Sequence, residues 1–270
     1  MQHKPSSSFN LATMGSTKHR VALLKGSGQS GCSPQKIYRF KTAGMVAWAE
    51  VAMLVGALIG ANSAYGDELR CPNRNVVVHS AARGDAETAC EAAGEAIAFL
   101  ASHGLDTTRA VEIHLVSKLP DIANKSAAGC YDHPHRRTYM LIFSACSKQG
   151  RWFELPLDRA LYKSLVAHEV AHAVAAANFS VPKPSILAQE YIAYVTQLAT
   201  MPPRHLARVL ERFPGNGFDS AAEMSLTFYT MNPSQFGVEV YRHFLKPGNG
   251  EAFLKEVLSG RVLIDEGAAY

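Results

Sequence analysis

Apolar positions change their spacing several times along the chain, and each change predicts an element. Asn75–His79 is a β-branched run and reads as a strand. From Asp85 to His103 apolar and alanine positions recur at helical spacing, and Gly104 closes the pattern. Val111–Val116 alternates with period two, the mark of a half-buried strand. Cys130-Tyr131 and Thr138–Phe143 read as two strands joined through residues 132–137. Leu161–Ala177 is rich in Ala, Leu and Val, lacks Pro and Gly, and predicts a helix with Pro156 at its first turn. Pro182 and Pro184 interrupt the chain, and Ser185 can cap a second helix running to about Thr200. Pro202 and Pro203 open another, and helices over Ser234–Leu245 and Glu251–Leu258 follow. The expected fold is therefore α+β, with a small mixed sheet followed by an all-helical C-terminal half.

Composition divides the chain into three parts. Residues 1–44 carry seven Lys/Arg, no acid, and many Ser and Gly, which predicts a disordered basic leader and fits an overlong gene start near Met45. Residues 45–66 hold the apolar run Val51–Ala61 and then Asn62-Ser63-Ala64-Tyr65-Gly66. A basic stretch, a short apolar core and small exit residues predict a signal peptide cleaved within Ala61–Gly66, with Asp67 as first mature residue. An uncleaved anchor and an organellar transit peptide are the alternatives, although the run is short for a span and the apolar core fits a transit peptide less well. Residues 67–270 are then one exported domain, secreted or periplasmic, touching the membrane only through its signal peptide. Seven of the 27 Lys/Arg and one of the 23 acids precede residue 67, so the remainder has formal charge −2 and no basic stripe for nucleic acid. Four cysteines survive: Cys71, Cys90, Cys130 and Cys146. They allow three pairings, and their placement favours 71–90 and 130–146.

The chemistry concentrates in His168-Glu169-Val170-Ala171-His172. Histidines four apart on a helix point the same way and can grip one zinc ion through neutral ring nitrogens. Glu169 can then reach a water on that ion and take its proton. Two histidines leave a tetrahedral ion one protein ligand short. Glu190, on the next predicted helix with 17 residues between it and His172, is the candidate third. A carboxylate in an otherwise apolar helix is costly unless paired or metal-bound.

With Glu190 in place, the chain resembles the gluzincin metallopeptidases, whose pattern is HExxH followed on a second helix by glutamate. It is most similar to short, single-domain gluzincin-like bacterial proteins, and Glu190-x-x-Ala193 matches their form. The metzincin pattern is absent, since Ala175 and Asn178 stand where it needs Gly and His. The resemblance implies a zincin-like fold with an edge strand on the motif helix, Thr138–Phe143 serving as that edge for an extended peptide. It implies zinc held by His168, His172 and Glu190, with Glu169 as catalytic base and a peptide or protein as substrate. A donor to the developing oxyanion is also implied, with Tyr229, Tyr241 and His243 as candidates and Tyr241 the first choice. One departure stands out. Thermolysin-like relatives place an acid four residues after the glutamate to orient the first histidine, and this chain has Tyr194 there.

The reading is thus an exported zinc metallopeptidase-like hydrolase. A catalytically inactive gluzincin-fold binding module in the envelope is the alternative, as is a membrane-tethered structural protein with an accidental motif. Intact Glu169 argues against the first and the placement of Glu190 against the second. His133 and His135 form an HxH pair that reads more simply as a polar turn.

Overall fold

The computed structural model describes residues 67–73, 75–123 and 127–264. The expected leader and signal peptide lie outside the described residues. β1 (Asp67–Arg70), β2 (Val76–Ser80), β3 (Val111–Val116), β4 (Gly129–Asp132) and β5 (Arg137–Leu141) form one mixed sheet in the order β1-β2-β3-β5-β4. β2, β3 and β5 run parallel, and the edge strands β1 and β4 are antiparallel to their neighbours. The register pairs Val78 with Ile113 and His79 with His114, so valine and isoleucine share one face and the histidines the other. Val76, Val78, Val111, Ile113, Thr138 and Met140 make the buried face.

That face is covered by α1 (Arg83–Ser102) and α3 (Arg159–Asn178). On α1, Ala86, Ala89, Ala93 and Ala96 are buried, and such small side chains let the two helices approach closely. α3 is apolar nearly all round, as a central helix must be: the sheet and α1 take one side and α4 (Ile186–Ala199) the other. It begins later than Pro156 implied. Pro156 belongs to the small hairpin β6 (Arg151–Trp152) and β7 (Leu155–Pro156), and Asp158 caps α3 by accepting from Leu161 N at 3.0 Å. Ser185 caps α4 through Ala188 N at 3.0 Å, as its sequence context predicts. Beyond α4 the chain is helical: α5 (Pro203–Arg212), α6 (Leu226–Met231), α7 (Pro233–Leu245) and α8 (Gly250–Leu258). Among the described residues no helix is long and apolar enough to cross a membrane.

Two expectations change here. Cys71 and Cys90 are bridged, tying the end of β1 to α1, but Cys130 and Cys146 are not bonded to each other. Cys130 sits on β4 opposite Tyr139, whereas the short helix α2 (Phe143–Cys146) turns Cys146 into the core, where burial pushes its thiol up to about 12. The exposed edge is also β4, because β5 is flanked by β3 on one side and β4 on the other.

Candidate metal centre

His168 and His172 lie one turn apart on the face of α3 that meets α4, and Glu190 enters from α4 between them. The two Nε2 atoms are 3.2 Å apart, and the Glu190 carboxylate oxygens stand 3.5 Å from His168 Nε2 and 3.7 Å from His172 Nε2. Zinc bonds of about 2.0–2.1 Å at tetrahedral angles put ligand atoms roughly 3.4 Å apart, so the two imidazole nitrogens have the spacing of zinc ligands and each faces one oxygen of the Glu190 carboxylate at a similar distance. The imidazole planes are inclined at 78°, which lets both in-plane lone pairs aim at a common point.

Burial controls the charges. It pushes His172 down to about 4, leaving a neutral, ligand-competent ring. On His168 the same burial is outweighed by the hydrogen bond and charge of Glu190, which hold it above its ordinary value. Glu190 is held below its usual range despite burial, through His168, His172 and a hydrogen bond from Tyr229. Glu169 has no such partner, and burial pushes it up to about 7 against the pull of His168. A buried carboxyl poised near neutrality beside three convergent ligand atoms is equipped for proton transfer.

Glu169 faces β4. A Cβ at Gly129 would stand 2.6 Å from Glu169 Cγ and 2.8 Å from Tyr139 O, so only glycine fits between edge strand and base. A cavity of about 550 Å³ opens on the site. Ala128 and, on β4, Gly129 to Tyr131 line one wall, Arg151 to Glu154 of the β6–β7 hairpin another, and Tyr229, Thr230 and Pro233 a third. His168, Glu169, His172 and Glu190 all reach it.

The oxyanion candidates part company. Tyr229 lines the cavity and bonds Glu190, whereas Tyr241 and His243 do not line it. Both are buried elsewhere on α7, and His243 Nδ1 is 2.9 Å from Tyr191 Oη. The first choice, Tyr241, does not reach this cavity. His133 and His135 bind separate partners, Gln189 at 2.8 Å and Asp132 at 2.8 Å, so the HxH pair does not converge.

Sequence reasoning missed the group that holds His168. Tyr194 packs its ring edge-on at 4.8 Å, but the polar contact is Gln197, whose Oε1 lies 3.1 Å from His168 Nδ1. Gln197 is seven residues after Glu190, two turns along the same helix face, and that spacing was its only signal in the sequence.

A second set of similar residues sits on the outer face of the sheet. His79 and His114 are cross-strand partners, and Glu112 Oε1 is 3.3 Å and 2.8 Å from their Nε2 atoms. Here the rings are stacked at 4.5 Å with only 12° between planes, so their lone pairs lie in separate parallel planes. Arg137 stands 3.6 Å from the other carboxylate oxygen.

Residues 76–267 match the model of the Family of unknown function (DUF6639), and the chain belongs to that family. No curated protein and no solved structure matches the chain.

Proposed function

We propose that this chain is an exported zinc metallopeptidase of gluzincin type with a zincin-like fold. The observation that carries the proposal is the convergence of His168 Nε2, His172 Nε2 and the two oxygens of the Glu190 carboxylate, with contacts of 3.2–3.7 Å, in a buried pocket open to a cavity. Two imidazoles and one carboxylate suit zinc better than a hard cation such as magnesium or calcium, which prefer oxygen. His168, His172 and Glu190 would hold the ion. Once bound, zinc supplies Lewis acidity to the oxygens it meets at the open position.

The remaining chemistry belongs to the chain. Glu169 accepts a proton from a water in the cavity as that oxygen attacks a peptide carbonyl, then returns the proton to the leaving amine. Tyr229, in place of Tyr241, is the hydroxyl at the cavity that can turn its proton from Glu190 toward the developing oxyanion. The free edge of β4 offers backbone groups to an extended substrate, next to the base that Gly129 accommodates. The Cys71–Cys90 bridge supports the exported, secreted or periplasmic reading, since such bonds persist in oxidising compartments.

The test is metal analysis of purified protein combined with cleavage of a peptide library. One zinc per chain and chelator-sensitive cleavage restored by zinc are expected. Zinc binding without cleavage of any peptide or ester would replace the enzyme reading with the binding-module alternative.

A further inference from the structure

We infer that Ser164 and Gln197 form a relay that fixes the tautomer of neutral His168, so that its Nε2 lone pair is the one turned toward Glu190 and His172. This rests on the metal-site reading above for its purpose, but its geometry stands without an ion. The argument follows the protons from one end. Ser164 Oγ is 2.8 Å from the Leu161 carbonyl, and a carbonyl can only accept, so the hydroxyl proton is spent there. Ser164 Oγ is then left as an acceptor. Gln197 Nε2 lies 3.4 Å away and donates to it, which fixes which end of the amide is nitrogen. The other end, Oε1, must therefore be the atom 3.1 Å from His168 Nδ1. An amide oxygen accepts, so Nδ1 carries a proton, and in the neutral ring Nε2 is bare.

Burial makes the relay binding. Gln197 is fully buried and Ser164 is 2 % exposed, so water is not available to repair a flipped amide. A flip would set Gln197 Oε1 against the lone pairs of Ser164 Oγ, an unsatisfied contact in the core. The relay also works against a competing preference. Left alone, His168 would turn a proton on Nε2 toward the Glu190 carboxylate 3.5 Å away, and that tautomer cannot ligate. Gln197 is thus a positioning residue, and it does without charge what an acid would do in this place. A carboxylate there would add a third acid to a buried pocket that already holds Glu169 and Glu190.

The experiment has two readouts. Long-range ¹H–¹⁵N NMR of the metal-free chain at about pH 8 reports which His168 nitrogen bears the proton. Nδ1 should be proton-bearing in the wild type and in Gln197→Glu, and Gln197→Leu should shift the balance toward Nε2–H. Zinc affinity, from competition with a chromophoric chelator, should fall about 10–100-fold in Gln197→Leu. It should fall less in Ser164→Ala and return to wild-type strength or better in Gln197→Glu. A bare Nδ1 in the wild type would overturn the relay, as would a Gln197→Leu chain that binds zinc within about twofold of wild type. Should Gln197→Leu not fold, the wild-type tautomer and Ser164→Ala decide the matter. A wild type that shows the Nδ1 proton yet binds no zinc would overturn the metal reading and leave the relay standing.

Discussion

Among the described residues two histidines and a glutamate meet twice, once between α3 and α4 and once on the outer face of the sheet. The residue types are identical and the separations similar, yet only the first set is built like a metal site. In the helical set the rings are inclined at 78° and the three side chains are 12 %, 11 % and 4 % exposed. In the sheet set the rings are stacked within 12° and the side chains are 21 %, 17 % and 36 % exposed. The cause lies in backbone geometry. Positions i and i+4 of a helix are offset around its axis, so two imidazoles there can fan toward one point. Directly opposed positions on adjacent strands run parallel, and their rings stack instead. Neighbours reinforce the contrast, since Gln197 orients His168 while Arg137 already pairs with Glu112. A shared list of ligand types therefore says less than the direction of their lone pairs.

The sharpest way to break this comparison is to measure zinc binding after emptying each set in turn. Structural zinc is held by an apparent 10–16 kcal/mol spread over its ligands, so each ligand contributes about 4 kcal/mol, near 10³-fold in affinity. His168→Ala with His172→Ala should abolish tight binding as read by chelator competition. His79→Ala with His114→Ala should leave the tight site intact. The reverse outcome would mean that the sheet set is the metal centre.

Chemistry separates the sets further. Glu169→Gln keeps shape but cannot take a proton, so hydrolysis should fall by roughly 10²–10⁴-fold while zinc stays bound. Glu190→Ala removes a ligand, and there affinity and activity should fall together. Gly129→Ala is the subtler test, because its Cβ would press on Glu169 Cγ at 2.6 Å. Displacing the base by about 1 Å should cost on the order of 10²-fold in activity with zinc affinity unchanged. An unimpaired Gly129→Ala enzyme would mean that Glu169 does not act from this position.

Much of the site was legible in the sequence because it is local. His168, Glu169 and His172 lie within about one helical turn, and the same periodicity that predicts α3 places the two histidines on one face with Glu169 beside them. Glu190 could be found because a carboxylate in an apolar helix needs a reason. What escaped depends on contacts between elements. Gln197 is an ordinary amide until Ser164 and His168 are seen on either side of it. Cys130 and Cys146 bracket a hairpin in sequence, but α2 intervenes and turns Cys146 inward. Strand order is not written in any one strand, so β5 passed for the edge although four-residue β4 holds that position. Tyr229 and Tyr241 are alike as sequence, and only the packing of α6 and α7 brings one to the cavity and leaves the other out.

If the sheet set is a hydrogen-bonded ion cluster and not a ligand set, it should reveal itself in stability against pH. Glu112 faces His79, His114 and Arg137. Its partial burial opposes ionisation, but the hydrogen bond and charge of His114, with Arg137 and His79, hold its carboxyl below the ordinary range. A depressed carboxylate stabilises the fold above the unfolded value of about 4.3, and that contribution is lost as pH falls through the folded value. His114 is lowered too, chiefly by burial, and Glu112 opposes that shift. As pH drops below about 6.5 the unfolded chain takes up this proton more readily than the folded one. Without Glu112 the imbalance grows. Glu112→Gln should therefore be less stable than wild type by no more than about 1 kcal/mol, because the cluster is partly exposed and screened. The gap should be widest between the unfolded carboxylate value of about 4.3 and the imidazole value of about 6.5, and it should close as pH falls further, through the depressed folded value of Glu112. Denaturant unfolding at several pH values without added metal measures it. A gap that is constant with pH would show that Glu112 contributes through packing alone. A gap that appears only when zinc is added would return the sheet set to candidacy as a ligand site.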